Sequence, residues 1–191
     1  MRALIVTTAV LFSAMSGPAL AEVAQPDQVA GARAAIKGLG QGLKEKLVAA
    51  MKDGGPLAAL DVCKIEAPQV TAAQSQSSGY DVGRTALKFR NPGNAPDDFE
   101  KRVMEKFVAD IKGGADAMKL DHAEVVERDG KKVFRYMKPI MTAGTPCLAC
   151  HGSELKPEVS AKIKELYPDD QAVGFAAGDM RGAFSVEKVL D

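Results

Sequence analysis

Residues 124–141, EVVERDGKKVFRYMKPIM, decide the fold. Glu124 to Arg128 and Lys132 to Met141 read as strands, and Asp129-Gly130 between them is the two-residue turn whose left-handed backbone matches the twist of its flanking strands. An antiparallel hairpin is expected here. Before it, Val82 to Phe89 (VGRTALKF) alternates apolar and polar residues like a strand, and Asn91-Pro92-Gly93-Asn94 turns the chain. Pro96-Asp97-Asp98 then opens a helix, with proline in the first turn and acids at the positive end of the dipole, and its core stripe is Phe99, Val103, Phe107 and Ile111. After it, Pro157 to Leu166 reads as a short helix, and Ala172 to Val189 as a final strand pair turned at Gly178-Asp179.

Further upstream, Val29, Ala32, Ile36, Leu39, Leu43, Leu47 and Met51 recur at three- and four-residue steps, one apolar stripe of a long helix from Gln28 to Met51. Gly54-Gly55-Pro56 ends it. A second short helix from Leu57 to about Ile65 carries Cys63, Ala67-Pro68 stops it, and Thr71 to Gly79 reads as a surface loop. Helices lead, antiparallel strands follow and no βαβ alternation occurs, so the class is α+β with an antiparallel sheet and a long N-terminal helix.

Residues 1–21 stand apart as a signal peptide. Arg2 supplies the positive start, Leu4 to Met15 a short apolar stretch, and Ala19-Leu20-Ala21 a small-x-small cleavage site. The stretch is too short and too interrupted to anchor a mature protein, which needs about 20 apolar residues. A mature domain at 22–191, exported to a bacterial-type periplasm and not inserted in the membrane after cleavage, is the expectation. With 25 Lys+Arg against 25 Asp+Glu the charge is balanced, which argues against a nucleic-acid partner. Three cysteines are too few, and odd in number, for a disulfide scaffold.

The chemistry concentrates in Cys147-Leu148-Ala149-Cys150-His151. In a translocated protein, C-x-x-C-H is the attachment site of one c-type haem: two thiols reach the two vinyl groups of a porphyrin edge, and the next imidazole swings onto the iron. A redox dithiol, a disulfide, or a zinc site built from Cys63, Cys147, Cys150 and one histidine are the competing readings. For the second axial position the sequence offers His122, the methionines Met51, Met104, Met118, Met137, Met141 and Met180, and Cys63, which is either an inert thiol or a thiolate on iron. Arg84, Lys88 and Arg90 are candidates to pair with haem propionates, Arg84 and Arg90 ahead of Lys88, unless they form a solvated strand face.

Five segments together resemble a known family, the periplasmic c-type haem domains with a PAS-like fold, which occur as stand-alone exported proteins and as the sensory portion of bacterial receptors. They are Val62-Cys63-Lys64 followed by Ala67-Pro68; Gly83 to Lys88; Arg90-Asn91-Pro92 with Asn94-Ala95-Pro96; Cys147 to Gly152; and Gly178 to Ala183. The resemblance runs from about Leu60 to Val189. It implies a PAS-like sheet, covalent haem c on Cys147 and Cys150, His151 as one axial ligand and Cys63 as the opposite one.

Two functions follow as expectations. One is a periplasmic electron carrier serving a redox partner protein. The other is a redox or diatomic-gas sensor that works through a separate partner, since a thiolate–iron bond weakens on reduction and lets a small ligand exchange. An enzymatic role is not expected, because no acid or base stands near Cys147 in the sequence.

Overall fold

The computed structural model describes residues 23–190; the leader lies outside them. Its order is α1 (Pro26–Ser78), β1 (Asp81–Thr85), a 3-10 turn (Pro92–Asn94), α2 (Asp98–Lys112), β2 (His122–Arg128), β3 (Lys131–Met141), α3 (Leu148–His151), α4 (Pro157–Leu166) and β4 (Met180–Val189). The strands form one antiparallel sheet in the order β1-β4-β3-β2. This is the α+β, PAS-like architecture expected from the hairpin. The turn is as anticipated: Arg128 pairs with Lys131, and Asp129 and Gly130 carry φ of 54° and 71°.

β3 is buried on both faces, and its alternation sorts the helices. Phe134 and Tyr136 pack with Ala32, Ile36 and Leu39 of α1, while Met137 packs with Val103, Met104 and Phe107 of α2. α2 starts where expected, on a capping box in which the Asp97 carboxylate accepts from Glu100 N–H at 2.7 Å and the Glu100 carboxylate accepts from Asp97 N–H at 3.1 Å.

Three elements differ from the sequence expectation. The first is α1, which breaks at Gly54 and at Gly55 (φ 67°) into two antiparallel arms, 26–53 and 56–78. Gly38 faces Gln74, Gly42 faces Val70, and Lys46 Nζ reaches Glu66 at 2.7 Å. The second arm does not stop at Ala67-Pro68. It runs through Pro68 to Gly79 (φ 70°), so residues 71–78 are helix rather than loop. Tertiary contacts override the proline: Ala67 is buried, Val70 joins the main core, and the Ser75 hydroxyl both accepts from Val82 N–H and donates to Val82 C=O.

Second, β1 stops at Thr85 instead of Phe89, because Ala86 N–H turns to Asn94 C=O and Phe89 C=O accepts from Gln171 N–H. Third, the strand pair expected over Ala172 to Val189 is a single strand, β4; residues 172–179 give their backbone bonds to the Cys147–Gly152 segment and to Thr142. Among the described residues no helix is long and apolar enough to cross a membrane.

Candidate functional site

α3 is a single turn. His151 N–H bonds Cys147 C=O at 3.0 Å, and the chain leaves at Gly152, where a Cβ would stand 2.7 Å from Leu148 C=O. Only glycine fits that approach. The turn is then clamped from the C-terminal side, with Phe175 N–H donating to His151 C=O at 2.9 Å and Gly174 N–H to Gly152 C=O at 3.0 Å.

Arg90 is the strut of this clamp. Its Nε and Nη2 embrace the Asp170 carboxylate (3.0 and 3.3 Å), and Nη2 also donates to Cys150 C=O (2.7 Å) and Ala172 C=O (3.1 Å). Both side chains are nearly sealed from water, at 9% and 7% exposure. Removing one partner of such a buried pair costs about 3–5 kcal/mol because the other charge is stranded. Asp170 Oδ1 accepts a further bond from Ala172 N–H at 2.9 Å, which fixes the carbonyl of that residue.

That carbonyl meets His151 Nδ1 at 2.7 Å. A carbonyl only accepts, so the contact assigns the imidazole proton to Nδ1 and leaves the lone pair on Nε2, the tautomer of a metal-ligating histidine whose other nitrogen is held by a backbone carbonyl. Burial, with the charges of Arg181 and Arg90, pulls His151 down to about 3, so the ring is neutral at any ordinary pH. Arg181 Nε also approaches Nδ1, at 3.2 Å, while its Nη1 donates to Lys88 C=O at 3.0 Å. Phe175 stands edge-on to the histidine, with rings 6.3 Å apart, and Lys88 and Arg181 lie over its face.

His151 lines a cavity of about 960 Å³ between the second arm of α1, β1 and the α3 turn. Cys63, Cys147, Cys150, Arg84 and Arg90 line it as well, so the structure brings the haem-motif residues, Cys63 and two of the three propionate candidates to one cavity, while Lys88 stays outside its lining. All three thiols are free. Cys63 is exposed into this cavity, yet surrounding atoms still desolvate it: burial pushes its thiol up, partly offset by the charges of Arg84 and Arg90. Burial likewise pushes up Cys150, and it pushes Tyr167, on the same wall, up to about 12.

Other candidates fall outside. His122 opens β2, bonds Glu124 at 3.1 Å and lies tilted against Phe99, ring centroids 5.9 Å apart, away from the cavity. Met104 and Met137 fill the core beneath α2, and Met118 is exposed; Met51 and Met141 do line the cavity. Among the described residues no three His, Cys, Asp or Glu side chains form a metal-holding group, so a zinc set of Cys63, Cys147 and Cys150 is not assembled. Sequence reading missed Arg181, Asp170 and the Ala172 carbonyl. Arg181 did sit inside the quoted Gly178–Ala183 segment, and that was the one available signal.

The fold and site define a PAS-like α+β domain with a C-x-x-C-H turn at the wall of one large cavity. The chain belongs to the Tll0287-like family, whose model matches residues 13–188, and this bears out the resemblance read from the sequence. It is similar in structure to a protein described as the cyanobacterial heme-protein Tll0287, at 24% identity and a TM-score of 0.59, with 88% of this chain and 98% of that one covered. No curated protein matches the chain.

Proposed function

We propose that the protein holds one haem c, bound covalently through Cys147 and Cys150, and serves as a periplasmic electron carrier. The observation that carries this reading is the His151 tautomer, fixed by Ala172 C=O at 2.7 Å beside two free thiols on a cavity of about 960 Å³. That volume is at the upper end of the range for cofactor pockets, about 300–1,000 Å³. Membership in the Tll0287-like family and similarity to a solved heme-protein support haem as the ligand. The Arg2 leader with its Ala19-Leu20-Ala21 site supports export.

Bound there, haem supplies a one-electron ferric–ferrous couple. The protein's part is positional. His151, oriented by the Arg90–Asp170–Ala172 clamp, would offer its Nε2 to the iron, and Cys63 on the second arm of α1 would offer its sulfur from the same cavity. Held by both residues, the iron would have no position open to a small ligand, which suits a carrier.

The alternative is a redox or diatomic-gas sensor, in which a Cys63 thiolate bond to the iron would weaken on reduction and let a small ligand exchange. Expression in cells competent in cytochrome c maturation should give a red protein whose haem stain survives denaturing electrophoresis; a colourless product rejects the reading. CO or NO added to the reduced protein leaves the spectrum of a carrier unchanged and shifts that of a sensor at once.

A further inference from the structure

We propose that Arg84 and Arg181 form a two-cation clamp that takes one carboxylate each of the haem propionates, an inference that rests on haem being held at Cys147, Cys150 and His151. Three arginines line the cavity, and their donors are spent differently. Arg90 is committed: its Nε and Nη2 serve Asp170 and two carbonyls. It cannot release them without undoing the clamp on α3.

Arg181 is only half committed. Its Nη1 serves Lys88 C=O, but its Nε points at a histidine nitrogen that already carries a proton and gives it to Ala172. With the tautomer so assigned, the Arg181 Nε–H has no acceptor. The Arg84 guanidinium, half-buried on β1, makes no side-chain hydrogen bond or ion pair among the described residues. Two desolvated unit charges therefore face one cavity, and Asp170, the carboxylate that acts electrostatically on Arg181, is held by Arg90.

Such a pair opposes folding unless an anion completes it. A ligand with two carboxylates matches it in charge and in donor geometry, because a guanidinium meets a carboxylate as a planar fork. The two cations also border the two proposed axial residues: Arg181 lies against His151, and Arg84 acts electrostatically on Cys63. Positive charge there favours the ferrous form, so the clamp both anchors the ligand and raises the potential.

The test measures the reduction potential and the propionate bands in resonance Raman of the holoprotein and of Arg84→Gln and Arg181→Gln. Each variant should shift the one-electron equilibrium toward ferric by roughly threefold to tenfold, a tenfold shift being 59 mV. The propionate bands should move, Arg84→Lys and Arg181→Lys should keep most of the wild-type values, and Arg33→Gln, outside the cavity, should change nothing. Haem-loaded Gln variants with wild-type potentials and bands overturn the clamp. A wild-type chain without covalent haem overturns the underlying reading instead. If the Gln variants do not accumulate, ferric haem and its dimethyl ester are titrated into the wild-type apoprotein; the ester should bind at least about tenfold more weakly, and equal binding overturns the clamp.

Discussion

Two arginine environments differ in how their charge is met. Arg135, on β3 beneath α2, is 5% exposed and surrounded by acid, with Asp97 at 2.8 Å, Glu187 at 3.5 Å and Glu100 at 3.7 Å, while the Phe99 ring covers its guanidinium. Arg84 and Arg181, at the cavity, have no carboxylate partner among the described residues. The chain thus completes its charge where the arginine ties helix to sheet and leaves it incomplete where a ligand enters. Arg90, paired with Asp170 at the cavity wall, belongs with the first kind although it stands beside the second.

The comparison can be broken in four places. The largest effect is all or none: replacing Cys147 and Cys150 together by Ser should abolish covalent haem staining, and residual covalent haem would show that attachment lies elsewhere. Next, Arg90→Ala should destabilise the protein by about 3–5 kcal/mol in denaturant unfolding, since it strands Asp170. A loss below about 1 kcal/mol would demote Arg90 from strut to bystander. A smaller and more diagnostic contrast comes from two charge-removing changes in the apoprotein. Arg135→Met should cost about 1–3 kcal/mol, whereas Arg84→Met should cost nothing or stabilise by up to about 1 kcal/mol, because it removes an uncompensated charge. Equal losses would erase the distinction.

The smallest effect is in acid. Burial would raise Asp97 and Asp121, but hydrogen bonds from Arg135 to the first and from Arg33 and Tyr136 to the second outweigh it and hold both below the usual carboxylate range. Their stabilisation is fully present above about pH 4 and is lost as the pH falls through the depressed folded values. Asp121→Asn should therefore flatten acid unfolding below about pH 4 and leave the neutral-pH spectrum untouched.

What could be read in the sequence was what depends on near neighbours. Asp129-Gly130 fixes its hairpin through its own backbone preference, Pro96-Asp97-Asp98 announces α2, and C-x-x-C-H carries its chemistry within five residues. The failures share another character. Pro68 looked like a stop because its cost is local, whereas the packing of Val70 and Ser75 that outweighs it comes from residues of the first arm and β1. Ala172 to Gly178 reads as the first strand of a pair turned at Gly178-Asp179, but its backbone bonds go to the α3 turn and to Thr142. Arg181 reaches His151 across 30 positions, a relation no spacing rule encodes.

The Ala172 carbonyl has a consequence for order in time. It follows His151 by 21 residues, so the proton on Nδ1 is assigned only after residues 170–175 have docked on the α3 turn. Before then a freely turning imidazole samples both tautomers. If haem is held as proposed, its thioether bonds would draw on five residues of the chain, whereas the ligating form of the histidine would draw on the whole fold.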